Sequence, residues 1–234
     1  MPVSGHTAIE PDRVRDAVTA VRARIAAACS RGGHGQDVTL IAVTKTHGPD
    51  AVEAAYAAGV LDVGENKVQE AEGKREQVTA PVRWHLIGHL QRNKARNATR
   101  FDLVHGVDSE RLAVALNTEA DKTGRPLDIL LQVNVSGELS KGGVATADVP
   151  ALAERLHSLS ALRVRGVMTM APFEAAEAEL RAVFAGAREA RTVLQTAGHP
   201  ATWLSMGMSG DYEIAVEEGA THVRLGTILF GSRI

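Results

Sequence analysis

The sequence contains a single cysteine, Cys29, and this scarcity excludes two kinds of scaffold. One thiol cannot form a disulfide within the chain, and without a CxxC motif or a Cys/His array the usual structural zinc sites are excluded too. We therefore expect no metal ligands. A chain that relies on no disulfide suits a reducing compartment, so we expect a cytoplasmic protein.

An excess of positive charge and long apolar runs are also missing. The chain has 26 Lys and Arg against 28 Asp and Glu, a formal net charge of −2 at pH 7. Proteins that bind nucleic acid or anionic membranes usually carry a basic excess. No stretch approaches the roughly 20 apolar residues of a membrane-spanning helix, and the N-terminal segment lacks the apolar core of a signal peptide. We expect neither a nucleic-acid partner nor a membrane partner.

What the chain does have is a recurring pattern of short β-branched runs, each followed by turn residues and a helical stretch. Eight strands are predicted, at 38–45, 60–65, 82–89, 103–107, 128–135, 162–169, 202–208 and 222–228. Helices are predicted after the first seven, at 49–58, 67–78, 91–99, 109–123, 148–160, 174–197 and 210–218. This alternation and count predict an α/β fold, a single (β/α)₈ barrel of the TIM type over residues 1–234. A doubly wound open sheet is the alternative that the pattern leaves open.

The eighth predicted strand lacks a helix after it. A helical stretch at 10–30 precedes the first strand, with Pro11 suited to a first turn and Gly32-Gly33 past its end. We expect this N-terminal helix to stand in for the missing one.

Strand parity predicts which side chains enter the barrel, because alternate residues point inward and outward. The apolar set of the seventh strand, Leu204, Met206 and Met208, should face the helices. The residues expected inside are Ile41, Val43 and Lys45 from the first strand, and His222, Arg224 and Gly226 from the eighth.

Two segments at the end of the chain predict a phosphate site, because barrels of this type often hold phosphate in the loops after strands seven and eight. Ser209 and Thr227 supply hydroxyls there, while Gly210 and Gly226 allow close approach of the backbone. A helix beginning near residue 210 would aim N–H groups at an anion. For either segment alone, glycines that only make turns are the alternative.

Lys45 ends the first predicted strand, which neighbours the eighth in a closed barrel, so it should lie near the phosphate site. Burial disfavours its ammonium form, and a neutral amine can attack an aldehyde. This predicts a Schiff-base lysine whose partner is either a phosphorylated carbonyl substrate or pyridoxal phosphate. A lysine that extends to solvent from a strand end is the alternative.

Arg224 favours the cofactor, because an inward guanidinium could meet the ring nitrogen of a pyridine anchored by its phosphate. A donor that is always charged would keep this nitrogen unprotonated and weaken the ring as an electron sink. The alternative is an arginine paired with a carboxylate such as Glu65. Asn66 either contacts the ring or caps the next helix.

Four further polar residues have less specific signals. We expect His85 to be a hydrogen-bonded core residue, and Gln132 and Asn134 to point inward from the fifth strand. The Gly-containing loop 136–147, which includes Lys141, is the candidate for a mobile flap.

Motifs spread along the chain resemble the pyridoxal phosphate homeostasis protein family, also called the YggS or proline synthetase co-transcribed family. They are AVTK ending at Lys45, VGENKVQE at 63–70, WHLIGHLQRNK at 84–94, QVNVSGELSKGG at 132–143, GVMTM at 166–170, LSMGMSGDYEIAVEEGATHVRLGT at 204–227 and the closing FGSR. Thr46-His47-Gly48 departs from the lysine and proline that often follow in the family, which leaves the shape of that loop open.

The resemblance implies a barrel like the N-terminal domain of alanine racemase, with pyridoxal 5′-phosphate held as an aldimine on Lys45. It also implies a phosphate position near Ser209, Gly226 and Thr227, with Arg224 near the pyridine nitrogen and Asn66 close to the ring.

The function that the resemblance implies is vitamin B6 homeostasis: binding, storing and delivering pyridoxal phosphate to apo-enzymes, with effects on amino-acid and keto-acid balance. In the racemase fold the second catalytic base comes from a separate β domain, whereas this sequence ends at Ile234, just after the eighth predicted strand. We therefore expect a cofactor carrier without efficient turnover. A racemase-like enzyme and a Schiff-base aldolase stay open as alternatives.

Overall fold

The computed structural model describes residues 9–138 and 142–231. Its strands are β1 (Thr39–Val43), β2 (Asp62–Glu65), β3 (Arg83–Leu86), β4 (Leu103–Val107), β5 (Leu127–Asn134), β6 (Val144–Ala145), β7 (Leu162–Met168), β8 (Trp203–Ser205) and β9 (His222–Leu225). Its α-helices are α1 (Pro11–Gly32), α2 (Pro49–Ala57), α3 (Val68–Arg75), α4 (Ala95–Ala98), α5 (Glu110–Asp121), α6 (Val149–Leu156), α7 (Glu177–Thr196), α8 (Tyr212–Glu217) and α9 (Thr227–Phe230).

The strands close into a parallel barrel. Neighbouring strands follow the order β4, β3, β2, β1, β9, β8, β7, β5, and pairing of β4 with β5 closes the ring. The two-residue strand β6 pairs with the end of β5 and lies outside the ring of eight. Closure confirms the predicted (β/α)₈ barrel and rules out the doubly wound open sheet.

Helix α1 fills the gap in the helical ring between α8 and α2. Its buried residues Val14, Val18, Val21, Ile25 and Ala28 recur every three or four positions and form one apolar stripe. At its C-terminal end, Nε of Arg31 lies 2.5 Å from Oε1 of Glu217 in α8. A Cβ on Gly32 would lie only 2.5 Å from the carbonyl oxygen of Glu217, so the contact requires glycine. The prediction that an N-terminal helix takes the place of the missing last one is thereby confirmed.

Several strands end earlier than the sequence predicted. The observed ends are Val43, Leu86, Ser205 and Leu225, against predicted ends at 45, 89, 208 and 228. After the eighth barrel strand, β9, the chain does not continue as a strand but turns into the short helix α9. Beyond each of these ends the backbone turns and residues of the extension line the mouth of the barrel, among them Lys45, His89, Met208 and Thr227.

Strand parity holds inside the strands and fails beyond them. Leu204 and Met206 pack in the core between sheet and helices, and Ile41 lies inside, against Gly64. Met208 was expected among the helices, but it is 39% exposed and lines a cavity at the barrel mouth. The strand has already ended, and Gly207 takes a φ of 93°, which breaks the alternation.

No helix in the described parts of the chain is long and apolar enough to cross a membrane.

Candidate functional site

A cavity of about 850 Å³ opens at the carboxyl-terminal end of the barrel strands. Its lining includes all six residues for which a binding role is predicted: Lys45, Asn66, Ser209, Arg224, Gly226 and Thr227. The volume falls within the ~300–1,000 Å³ typical of small-molecule sites. Residues chosen from four separate segments of sequence therefore share one site.

Lys45 reaches this cavity from a turn, not from the strand itself. Strand β1 ends two residues earlier and pairs with β9, so the turn lies beside Gly226 and Thr227. A Cβ on Gly226 would lie 3.2 Å from the carbonyl oxygen of Val43. This close packing brings the lysine segment and the end of β9 together, as predicted.

The loop after β8 presents Ser209 to the same space. Gly207 makes the turn, because a Cβ there would lie 2.7 Å from Cβ of Ala215 and 2.9 Å from Cα of Tyr212. Asp211 accepts a hydrogen bond from the Met208 amide at 2.5 Å and holds the loop. Burial nevertheless raises the pKa of Asp211. The helix that follows begins at Tyr212, two residues later than the sequence predicted.

Arg224 forms part of the cavity wall and is only 5% exposed. Its Nη1 donates to Oγ of Ser205 at 2.7 Å, and its Nη2 donates to the carbonyl oxygen of Thr169 at 3.0 Å. The alternative pairing with Glu65 is wrong, since Glu65 points toward α3 and binds Lys74. Burial lowers the pKa of Arg224 to about 10, so the guanidinium stays charged at neutral pH.

A chain of buried hydrogen bonds continues from Ser205 through the barrel interior. Oγ of Ser205 lies 2.9 Å from Nδ1 of His105, and Nε2 of His105 lies 3.0 Å from Nδ1 of His85. Nε2 of His85 then lies 2.9 Å from Oδ1 of Asp62. Asp62 also accepts from Nε and Nη2 of Arg83, at 2.7 and 2.6 Å.

The two ends of this chain determine the direction of its hydrogen bonds. Hydrogen bonds from His85 and Arg83 outweigh the effect of burial and lower the pKa of Asp62 to about 2, so its carboxylate only accepts. Burial lowers the pKa of His105 far below its ordinary value, which keeps that imidazole neutral. Because the Asp62 carboxylate accepts from His85, we assign the ring proton of His85 to Nε2, with its Nδ1 accepting from the Nε2 proton of His105. The Ser205 hydroxyl then donates to Nδ1 of His105 and accepts from Nη1 of Arg224.

Sequence reasoning identified only part of this interior chain. His85 is buried and hydrogen-bonded, as predicted. Asp62 and His105 were missed, although both have the inward parity of their strands, and polar residues at inward positions were the available signal. His89 and Asp108 were also missed: both line the cavity, with Nδ1 of His89 3.1 Å from Oδ2 of Asp108.

The weaker sequence predictions have mixed outcomes. Gln132 lines the cavity, whereas Asn134 donates from Nδ2 to the carbonyl oxygen of Glu138 at the end of β5 and is not part of the lining. Asn66 does not cap α3, whose N-cap residue is Lys67. Lys141 lies outside the described residues, together with the part of the predicted flap loop at 139–141.

In chemical terms, the cavity combines an amine, two hydroxyls, a cation and backbone that allows close approach. Such a set can hold a small phosphorylated molecule and offer a nucleophile to it. Among residues 9–138 and 142–231, no group of three or more His, Cys, Asp or Glu side chains is placed to hold a metal ion.

Comparison with known proteins assigns the family. The family described as alanine racemase, N-terminal domain, matches residues 17–234. A Pseudomonas aeruginosa protein named pyridoxal phosphate homeostasis protein is 44% identical over 223 residues, covering 94% of this chain and 96% of that protein. The chain belongs to the pyridoxal phosphate homeostasis protein family. The resemblance inferred from motifs is thereby confirmed. A family member from Escherichia coli is 39% identical over 227 residues, covering 91% of this chain and 94% of that protein.

Solved structures support the same family assignment. PipY of Synechococcus elongatus PCC7942, 40% identical, has been solved without pyridoxal phosphate and with it bound. The TM-scores are 0.84 and 0.83, and each alignment covers 93% of this chain and 100% of that one. An alanine racemase of Streptomyces lavendulae, 21% identical, has a TM-score of 0.79 and aligns over 96% of this chain and 58% of the racemase. At that identity the likeness concerns the fold alone.

Proposed function

We propose that this chain binds pyridoxal 5′-phosphate in the barrel-mouth cavity, tethered through the amine of Lys45, and stores and delivers it in vitamin B6 homeostasis. The observation that carries the proposal is the meeting of Lys45 with Ser209, Gly226 and Thr227 in one cavity. The names of the 39–44% identical relatives, and the PipY structure with pyridoxal phosphate bound, support the choice of ligand.

The residues present fit this cofactor in three ways. Ser209 and Thr227 supply hydroxyl donors where a phosphate would lie. Arg224 supplies a buried cation with no carboxylate partner among its hydrogen bonds in the described residues, suited to an acceptor such as a ring nitrogen. Asn66 lines the cavity on the side of β2. When bound, pyridoxal phosphate supplies an aldehyde that condenses with amines and a ring that can accept electrons.

Arg224 argues for a carrier over a fast catalyst. A guanidinium donates hydrogen bonds and cannot act as an acid at neutral pH. Its hydrogen bonds to Ser205 and Thr169 hold it in place. Arg224 would therefore bind a pyridine nitrogen without protonating it, which leaves the ring a weak electron sink.

The recipients we propose are the apo forms of pyridoxal phosphate enzymes, in the cytoplasm. The single cysteine, Cys29, fits a reducing compartment of this kind.

Cofactor retention and transfer test the proposal together. After excess pyridoxal phosphate is removed, the wild type should keep an absorbance near the visible edge that borohydride bleaches. Lys45→Met should lose it, whereas Lys122→Met, which removes an exposed lysine paired with Glu119, should keep it. The loaded protein should restore an apo-enzyme faster than an equal amount of free cofactor. Equal signals in wild type and Lys45→Met would overturn the tether, and transfer no faster than free cofactor would overturn delivery.

A racemase-like activity is the second candidate, because one observation favours it. His89 and Asp108 form a hydrogen-bonded pair on the cavity lining, and a carboxylate that orients an imidazole is the usual arrangement of a general base. Deuterium exchange at the α-carbon of added amino acids measures such a base. An exchange rate above that of free cofactor, lost in His89→Gln, would favour the enzyme. A rate equal to that of free cofactor would rule out the enzymatic activity.

A further inference from the structure

The peptide groups on both sides of Lys45 are held by one ion cluster, buried at Glu65 and Lys74 and half-buried at Glu70, that lies outside the cavity. This cluster, called here the α3 cluster, consists of Glu65 at the end of β2 and Glu70 and Lys74 in α3. Nζ of Lys74 lies 2.6 Å from Oε1 of Glu65 and 3.1 Å from Oε1 of Glu70. The same nitrogen donates to the carbonyl oxygen of Thr44 at 2.7 Å. The residue before Lys45 is thus fixed by a buried cation.

The residue after Lys45 is fixed by the same cluster. The amide of Thr46 donates to Oε1 of Glu70, the oxygen that also binds Lys74. On the other side, Oγ1 of Thr44 donates to Oε1 of Glu65 at 2.5 Å. Two backbone hydrogen bonds, to Lys74 and Glu70, and one from the Thr44 hydroxyl to Glu65 therefore hold the residues on either side of Lys45.

The turn that these bonds hold is strained. Thr46 has a φ of 68°, in the left-handed region that a β-branched residue rarely adopts. Among the described residues only Glu174 shares a positive φ without being glycine. Such a conformation persists only where the surroundings impose it, and it is concentrated at functional sites.

Burying the charged groups of the α3 cluster costs free energy. Lys74 is 6% exposed and Glu65 is fully buried. Burial raises the pKa of Glu65 against the effect of its hydrogen bonds, and its Oε2 has no hydrogen-bond partner among the described residues. Buried ion pairs often stabilise a fold less than apolar residues of similar size would. Packing alone therefore does not account for charges at this place.

We propose that Glu65, Glu70 and Lys74 are positioning residues for Lys45, fixing the backbone on both sides of it so that its amine is aimed into the cavity. The consequence for attachment rests on the proposed function. Attachment joins the amine nitrogen to the aldehyde carbon and releases one water, without any oxidant. Misplacing a reacting group by about 1 Å can cost around a hundredfold in rate.

Covalent attachment at Lys45 and phosphate binding should respond separately to changes in the α3 cluster, whereas a purely structural role would affect both. Ser209 lies on the loop that follows β8 and Thr227 begins α9 just after β9, whereas the α3 cluster packs behind β1 and β2. Loosening the turn should therefore slow covalent attachment and leave the affinity for phosphate unchanged.

The first experiment needs no cofactor. Amide hydrogen exchange at Thr46 should be slow in the wild type, about tenfold faster in Glu70→Met, and restored in Glu70→Gln, whose amide oxygen can still accept from Thr46. Equal exchange in wild type and Glu70→Met would overturn the proposal even if no cofactor were ever bound.

The second experiment measures the attachment rate of pyridoxal phosphate by absorbance, and the binding of inorganic phosphate by calorimetry. Glu70→Met and Lys74→Met should slow attachment about tenfold or more, with phosphate affinity within about twofold of wild type. Glu70→Gln should recover most of the rate, and Lys122→Met should match the wild type. Adding Thr46→Gly to Glu70→Met should restore part of the rate, because glycine adopts this φ without support.

Three results would count against the α3 cluster as a positioning device: unchanged attachment rates, parallel losses of attachment and phosphate affinity, or no recovery in Glu70→Gln. A wild type that never forms a linkage reducible by borohydride would instead refute the proposed function. The exchange experiment would still decide the cluster's role in that case.

Discussion

Replacing Asp62 with asparagine should destabilise the protein in a way that depends on pH. Asp62 is 5% exposed and terminates the buried hydrogen-bond chain that begins at Arg224. Asparagine keeps the shape and one acceptor oxygen, but it removes the negative charge that His85 and Arg83 contact. The substitution therefore isolates the contribution of the charge.

The magnitude follows from the pKa of Asp62. Burial would raise this pKa, but the hydrogen bonds from His85 and Arg83 lower it from 3.8 to about 2. At about 1.4 kcal/mol per unit this shift corresponds to roughly 2 kcal/mol of folding free energy. The Arg83 side chain is 56% exposed, so solvent screens its share. We expect a loss of about 1 to 2 kcal/mol at pH 7.

The sign of the pH dependence is fixed by the direction of the shift. A carboxyl group whose pKa is lowered on folding stabilises the protein above its unfolded pKa, and this stabilisation is lost as the pH falls through the folded pKa. The difference between wild type and Asp62→Asn should therefore be constant from pH 7 to pH 5 and about half as large at pH 3.

Urea denaturation at these three pH values measures the difference. Asp128→Asn is the matched control, since the half-buried Asp128 pairs with the exposed Arg163 at the same end of the barrel, and its effect should stay below about 1 kcal/mol. A difference for Asp62→Asn no larger than the control at pH 7, or one that does not shrink toward pH 3, would refute the reasoning.

Three further predictions follow from the barrel interior. Nitrogen NMR should find His85 and His105 protonated at Nε2 and bare at Nδ1, and the opposite tautomers would contradict the assigned direction of the chain. Arg224→Gln should weaken pyridoxal phosphate binding about tenfold or more in an equilibrium titration, because a charge-assisted hydrogen bond is lost; affinity within twofold would count against Arg224 as a ligand. Gly166→Ala should cost about 3 kcal/mol in urea denaturation, since its Cβ would lie 1.9 Å from the Trp203 carbonyl oxygen. A loss below about 1 kcal/mol would show that the barrel wall yields there.

The barrel could be predicted from sequence because its signal is local and repeated. Each strand is a short apolar run followed by turn residues, and the substitution of α1 for the last helix required only a count of elements. The residues of the cavity could be predicted for a related reason: parallel strands bring all their carboxyl ends to one side. Lys45 and Thr227 are distant in sequence, yet both follow strands that pair with each other.

The unpredicted features depend on contacts between distant segments. The hydrogen-bond chain from Ser205 through His105 and His85 to Asp62 joins four strands, and no spacing within any one of them predicts it. From the sequence alone, Glu65 is a carboxylate that an arginine inside the barrel, Arg224, could neutralise. The structure separates them, since Glu65 has the outward parity and meets Lys74 of α3 instead.

The strand ends were overestimated for a physical reason as well. Thr44, Ile87 and Met206 directly follow the strand ends and still donate their amides to the neighbouring strand, and the backbone turns only after them. Strand propensity describes a residue within a sheet, and it does not show where the backbone turns away from the neighbouring strand.

The central claim is that Lys45 carries pyridoxal phosphate in this cavity. Reducing the loaded protein with borohydride, digesting it and mapping the modified peptide by mass spectrometry tests this claim most directly. We expect one reduced pyridoxyl phosphate group per chain, on Lys45. Modification spread over exposed lysines such as Lys122, or located on another lysine with Lys45 unmodified, would contradict it.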